Sequence, residues 1–493
     1  MKKIQTSKDK MSFMKQTIYF ILTTALLMTA CGKKILEKTP EASFTPDNFY
    51  KNADDAKAAV SAVYDLMNSS EMYNQVMWIL QDQSTDDAEW GNGRSTANQA
   101  KNDLDKYTFT PATTTFISLW SIAYRSINRA NAAIERLPAI TMDETLKSRL
   151  IAETKFMRAF YYFTLVRLFG DVPLILKETT SLNNLQIVRT PTEDVYKQII
   201  EDFTAAESVL PITYNAADKG RATRGAAKAF LAKVYLTRQE WAKASAKAKE
   251  VIDLGAGYDL WANFADAFLI ANENGKESVF EIQANGVLGG EGSWMQGYMR
   301  PPFDRVNNIA GFGDDPATQN LYNTYRADDK RRNVTLKLYS PTGTPAAPST
   351  IVFPGYVVKY LDPAATGNND GNNNFPVIRY ADVILMYAEA LNEQSANNSD
   401  AYNSINRIRN RAGLPNLTAG LSQSNFRDSI LLERRLELAF EGHRRYDLVR
   451  TKRLVSAMNA QNPAIKVEAY HTLLPIPQTE RDVNPLLTQN QGY

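Results

Sequence analysis

Four acidic side chains, Asp82, Asp86, Asp87 and Glu89, crowd into one polar stretch, residues 81 to 100, and their type suits acid–base chemistry. A carboxylate pair of a retaining glycoside hydrolase stands about 5–5.5 Å apart, a separation that chain spacing does not fix. The simpler expectation is a solvated turn. Only two histidines, His443 and His471, and one cysteine, Cys31, occur in the 493 residues. That count excludes Cys/His zinc sites and argues against Ser-His-Asp or Cys-His catalysis. The same polar stretch holds Trp90 among Gly91, Gly93 and Arg94, and a second loop indole, Trp294, precedes Tyr298, Arg300 and Phe303.

Cys31 has its own context. Five lysines, Lys2, Lys3, Lys8, Lys10 and Lys15, lead into an uncharged run from Gln16 to Ala30 that is too short to span a bilayer. The run ends in Thr29 and Ala30 directly before Cys31 and resembles the lipobox of bacterial lipoproteins, with Met28 where Leu is usual. The resemblance implies cleavage before Cys31, a diacylglyceryl group on its thiol and an acylated new N-terminus. Two or more chains hold a protein stably at a membrane, at about 0.8 kcal/mol per buried CH₂.

Removing the five lysines and one aspartate of residues 1 to 30 leaves 51 basic and 53 acidic side chains. A near-neutral mature chain offers no electrostatic case for nucleic acid. With no second cysteine for a disulfide, stability must come from burial.

The elements that carry these residues read as mainly α. Thr45-Pro46-Asp47 predicts a helix start, and Val60, Val63, Tyr64 and Met67 share one helical face. Periodicity predicts helices over 113–137 and 142–169, the latter stopped by Gly170 with Pro173 beyond. Thr190 with Glu193 predicts a capping box. Residues 224 to 254 read as two helices broken at 237–239, with small and large residues alternating as in a tetratricopeptide-like unit. Ser278–Gln283 and Val352–Leu361 read as short strands, 284–318 as a long irregular segment, and 362–374 as a surface loop. The Asn/Asp run of that last loop leaves calcium open, although it lacks the spaced acids and closing Glu of an EF-hand; no other cofactor is expected. Helices resume at 380–393, 401–412, 425–440 and 443–453.

Several stretches then resemble the SusD/RagB family of Bacteroidetes outer-membrane lipoproteins: RAFYYFTLVRLFGDVPL at 158–174, ATRGAAKAFLAKVYL at 222–236, RYADVILMYAEALNE at 379–393, INRIRNRAGL at 405–414, LLERRLELAFEGHRRYDLVR at 431–450 and the ending LLPIPQTERDVNPLLTQNQGY at 473–493. The resemblance implies a signal peptide over 1–30, a lipidated Cys31 and tether over 31–44, and one SusD-like domain over 45–493. That domain would pair four tetratricopeptide-like helix pairs with a loop-rich insert at about 255–375. It also implies a non-catalytic, surface-exposed protein in the outer membrane, which captures a glycan for a partner SusC-like TonB-dependent β-barrel transporter. Peptide capture by the same arrangement is the alternative, ahead of a carboxylate-dependent glycoside hydrolase. Arg434, Arg435, Arg444 and Arg445 with Glu433, Glu437 and Glu441 read as ion pairs between neighbouring helices, Glu441 and Arg445 sharing a face.

A glycan site needs flat aromatic faces and polar groups that orient hydroxyls. Trp78, Trp120, Trp241 and Trp261 lie in apolar or helical settings and are expected in the core. The loop residues Trp294, Trp90, Tyr298, Arg300, Phe303 and Arg94 are the candidate ligand contacts, with packing against the barrel or the scaffold as the competing role.

Overall fold

A computed structural model describes residue 14 and residues 49–90, 99–181, 183, 185–301, 305–306, 309–339, 344 and 355–493. Cys31, Arg94, Phe303 and the Thr45 helix start lie outside the described residues. Contacts divide the chain after Lys51, and the unit from Asn52 to Tyr493 carries the fold below.

Its first half is helical: α1 (Ala53–Asp65), α2 (Val76–Gln83), α3 (Gln99–Lys106), α4 (Thr114–Arg136), α5 (Glu144–Phe169), α6 (Thr192–Val209), α7 (Arg224–Thr237) and α8 (Trp241–Ile252). A loop-rich stretch follows with β1 (Ser278–Ile282), α9 (Met295–Met299), β2 (Arg305–Val306), β3 (Ile309–Ala310), α10 (Gln319–Thr324), α11 (Arg332–Thr335), β4 (Leu336–Leu338), β5 (Gly355–Val357) and β6 (Phe375–Arg379). The chain returns to helix in α12 (Tyr380–Gln394), α13 (Ser399–Arg411), α14 (Gln423–Glu437), α15 (Arg444–Arg450), α16 (Leu454–Gln461) and α17 (Gln478–Val483). Strands pair antiparallel in two-stranded units, β1 with β6, β2 with β3 and β4 with β5.

Helix packs on helix in the order α1, α4, α5, α6, α7, α8, α12, α13, a stack of four helix pairs. The central helix α5 shows why: it is buried nearly all round, so it cannot present one polar face to water. Phe156 and Phe160 of α5 meet Phe203 of α6 and Phe230 of α7, and Phe280 of β1 enters the same cluster 5.1 Å from Phe156. One strand of the loop-rich part is thereby plugged into the scaffold core. Helix α5 stops at Gly170, whose φ of +72° suits glycine, and the α7–α8 break falls at Gln239 with φ +60°.

Several expectations change. Helix α1 begins at Ala53, where the Asn52 side chain accepts from the amides of Asp54 and Asp55. The Thr190 capping box does not form; instead the Asp171 carboxylate accepts from the Thr192 amide, so the cap comes from another segment. In β1 Val279 through Ile282 are all buried, because β6 and the helices cover both faces. Trp78 and Trp120 are core, whereas Trp241 and Trp261 are half-buried. The loop 362–374 is only partly at the surface: Asp362 is fully buried and accepts from Asn372. Helices α2, α3, α9, α10, α11, α16 and α17 were not anticipated, and α9 interrupts the segment 284–318 that was read as irregular.

Of the acids expected in a solvated turn, Asp82, Asp86 and Asp87 are buried and Glu89 is half-buried. Asp86 takes a two-point bond from Arg444 at 2.8 Å each, and Asp87 pairs with Arg435 at 2.6 Å. The expected pairs among the 433–445 charges are replaced by distant ones. Glu437 gathers Arg331, Arg379 and Arg411; Glu441 takes Arg379 and Lys359; Arg434 reaches Asp382 and Asp447. Arg445 donates to Ser84 and to the His471 carbonyl, because Glu441 lies in the turn before α15 and does not share its helical face.

Candidate functional site

A short helix sets up an aromatic platform. Trp294 stands at the N-cap of α9 and Tyr298 follows four residues later, so both rings lie on one face. They stack with centroids 5.4 Å apart and planes 14° from parallel. Phe312, 44% exposed, packs 4.7 Å from Tyr298, and Trp78 of α2 meets Tyr298 edge-on at 6.2 Å from beneath. The backbone keeps these rings in place: the Trp294 amide donates to Asn74 Oδ1 at 3.2 Å, and the amides of Phe312 and Asp314 donate to the Gly297 and Tyr298 carbonyls at 2.8 and 2.6 Å. Gly297 allows a close approach, since a Cβ there would stand 2.3 Å from the Asn368 carbonyl oxygen.

Trp90 joins from the other side. The Lys101 ammonium of α3 lies 5.0 Å from the Trp90 ring centre and 5.6 Å from that of Tyr298. It is also ion-paired to Asp314. The loop that carries Trp90 is tied down by Asp86 and Asp87 as above, by the Glu89 amide donating to the Pro316 carbonyl at 3.0 Å, and by Thr318 Oγ1 donating to the Asp86 carbonyl at 2.8 Å. Burial, followed by the Asp314 charge, raises the Tyr298 hydroxyl and keeps it neutral. Partly exposed rings over compensated charges can take the apolar face of a neutral ligand while nearby polar groups meet its hydroxyls.

Of the residues singled out by sequence, Trp90, Trp294 and Tyr298 come together around this one surface. Arg300 does not join it: it is 1% exposed and its guanidinium braces the loop through the Ile309 and Gln296 carbonyls at 2.8 and 3.3 Å and Asn368 at 3.3 Å. Phe312, Lys101 and Asp314 are additional members. Phe312 carried a signal, as the aromatic end of the segment behind Trp294, whereas Lys101 and Asp314 carried none because their pairing joins residues 213 apart.

A separate cavity of about 380 Å³ opens between Tyr214, Tyr258 and Glu281 and contains none of the candidate residues. Among the described residues no three His, Cys, Asp or Glu side chains converge to hold a metal ion. Of the four carboxylates the hydrolase reading drew on, Asp86 and Asp87 are engaged by arginines and nearly without exposure, Asp82 is buried, and Glu89 is half-buried.

Comparison with known proteins places these features in context. A model described as "SusD family" matches residues 337–493, and one described as "Starch-binding associating with outer membrane" matches residues 34–236. A SusD-like protein P2 of Formosa agariphila is 32% identical, over 96% of this chain and 99% of that one. The starch-binding protein SusD of Bacteroides thetaiotaomicron is 24% identical over 74% and 76%. Among solved structures, a laminarin-binding SusD-like protein is 30% identical with a TM-score of 0.80, over 90% of this chain and all of that one. A SusD homologue from Bacteroides thetaiotaomicron gives a TM-score of 0.80 at 25% identity, covering 92% and 100%.

Proposed function

We propose, from the premise that this chain belongs to the SusD family, that it captures a neutral oligosaccharide on the Trp294–Tyr298 platform and hands it on uncleaved. The observation that carries the reading is the stacked indole and phenol with Phe312 and Trp90 beside them. Such rings suit the CH faces of sugars.

The relatives support a glucan as first ligand, since one is described as starch-binding and a solved neighbour as laminarin-binding. Glycan is favoured over peptide because the charges beneath the rings, Lys101 and Asp314, are engaged with one another, whereas peptide termini call for fixed charges that face the ligand. Attachment to the outer membrane through Cys31, and delivery to a SusC-like transporter, complete the proposed role; the matched description of association with the outer membrane supports the location. Calorimetric titration with laminarin- and starch-derived oligosaccharides tests it, with Trp294→Ala as the control. Saturable binding that the variant weakens is expected, and intact sugar should be recovered afterwards.

A further inference from the structure

The segment 312–318 is a strap with an anchor on each side. Its amides at Phe312 and Asp314 hold the platform helix α9, while the Thr318 amide donates to the Asp87 carbonyl at 2.9 Å and the Gln83 side-chain amide to the Asp314 carbonyl. Between these anchors Asp315, 0% exposed, lies within hydrogen-bonding reach of Asp82 of α2, itself buried. Both carboxyl oxygens of Asp315 and Oδ2 of Asp82 are buried and accept no hydrogen bond of good geometry, the Gln83 amide beside Asp315 being directed to the Asp314 carbonyl.

The neighbouring cations are committed elsewhere: Lys101 to Asp314, Lys359 to Glu441, Arg435 to Asp87 and Arg444 to Asp86. Two touching buried carboxylates cannot both stay ionised, and an unpaired acceptor in a dry site is costly. One proton between them turns the repulsion into a hydrogen bond.

We propose that Asp82 and Asp315 share one proton, and that this proton positions the aromatic platform by holding the 312–318 strap against α2. The consequence for ligand affinity rests on the glycan-binding reading above; the effect on the strap itself does not.

The groups facing the pair agree with that assignment. Asp82 faces Asp315, Asp87 and Lys359, and Asp315 faces Asp314, Lys101 and the Gln83 amide. Burial is the leading cause that pushes Asp315 up to about 8 from its ordinary 3.8, and burial followed by the Asp315 charge raises Asp82. A carboxyl raised in the docked state stabilises docking fully below its ordinary value and loses that contribution as pH climbs through its raised value, about 8 for Asp315, with Asp82, raised in the same direction, adding to the slope. Acid therefore tightens the strap and alkali loosens it.

The test follows intrinsic tryptophan fluorescence and thermal midpoint of the ligand-free full chain from about pH 5.5 to about pH 8.5, for the native protein, Asp315→Asn and Asp82→Asn. Asparagine offers a donor that no pH in that range removes. The native midpoint should fall with pH while either asparagine variant flattens the fall, and native affinity for a laminarin oligosaccharide should drop about tenfold, the effect of one unit of pKa difference. Glu273, also raised to about 8, titrates in all three proteins and cancels in the comparison. If Asp315→Asn does not fold, Asp82→Asn carries the test. An unchanged slope in the folded variants overturns the proposal, as does stoichiometric calcium in the purified chain whose removal by chelator reproduces the loosening. A ligand-free slope abolished by asparagine, with no glycan bound at any pH, supports the shared proton and removes only the binding reading.

Discussion

Trp294 and Tyr298 lie one helical turn apart with their rings stacked at 5.4 Å, and Trp78 meets the second ring edge-on from the core at 6.2 Å. The stack is thus supported from inside the protein and partly open outside. Removing the outer ring by Trp294→Ala should weaken oligosaccharide binding about tenfold, or 1.4 kcal/mol, with a thermal midpoint close to native. Tyr298→Phe keeps the stack and should retain most affinity, so calorimetry on the two variants separates stacking from hydroxyl contact.

Gly297 makes a different prediction, because it carries no ring of its own to offer a ligand. Its Cβ position is 2.3 Å from the Asn368 oxygen, a backbone atom with little room to move. Gly297→Ala should displace α9 and lower affinity while leaving every aromatic residue present. Native affinity in this variant, measured by the same titration, would show that the α9 backbone does not set the platform.

The charge cluster around Glu437 supports the junction between the loop-rich part and the C-terminal helices. Arg331 and Arg379 come from the first, Arg411 from the second, and all three meet this one buried carboxylate. Breaking a buried ion pair from one side costs about 3–5 kcal/mol, since the partner charges stay behind. Glu437→Gln should therefore lower the denaturation midpoint sharply; a shift within error would mean the arginines are satisfied by Glu433, Glu441 and Glu277 alone.

Acid acts on the same junction with the opposite sign from the Asp82–Asp315 pair. Although burial opposes it, Arg379 and Lys359 hold Glu441 down to about 2 from the ordinary 4.5, and arginines hold Asp447 low in the same way. A depressed carboxyl stabilises the fold above its ordinary value and loses that contribution as pH falls toward the folded value. Circular dichroism should show stability declining between about pH 4.5 and about pH 2, and Glu441→Gln should make that decline shallower.

The helices were legible where the signal was local. Periodicity located α4 and α5, Gly170 marked the end of one, and the α7–α8 break fell at Gln239, within the expected interruption at 237–239. The acids at 82–87 were misplaced for the converse reason: Arg435 and Arg444 stand 348 and 358 residues away from them, and no local pattern reports such a pairing. Within the candidate site the clustering of Trp294, Tyr298 and Phe312 in one segment was readable, but the short helix α9 that aligns the first two was not, because 284–318 carries no helical periodicity. Arg300 was not readable as a brace, because exposure of a loop guanidinium depends on whether carbonyls such as that of Ile309 close around it.

Titration of the soluble form that begins after Cys31 with laminarin- and starch-derived oligosaccharides, followed by analysis of the recovered sugar, tests the central claim most directly. The account predicts saturable binding that Trp294→Ala abolishes or weakens about tenfold, with the sugar recovered at its original length. Shortened products, or binding that survives loss of Trp294, Tyr298 and Trp90 together, would contradict it.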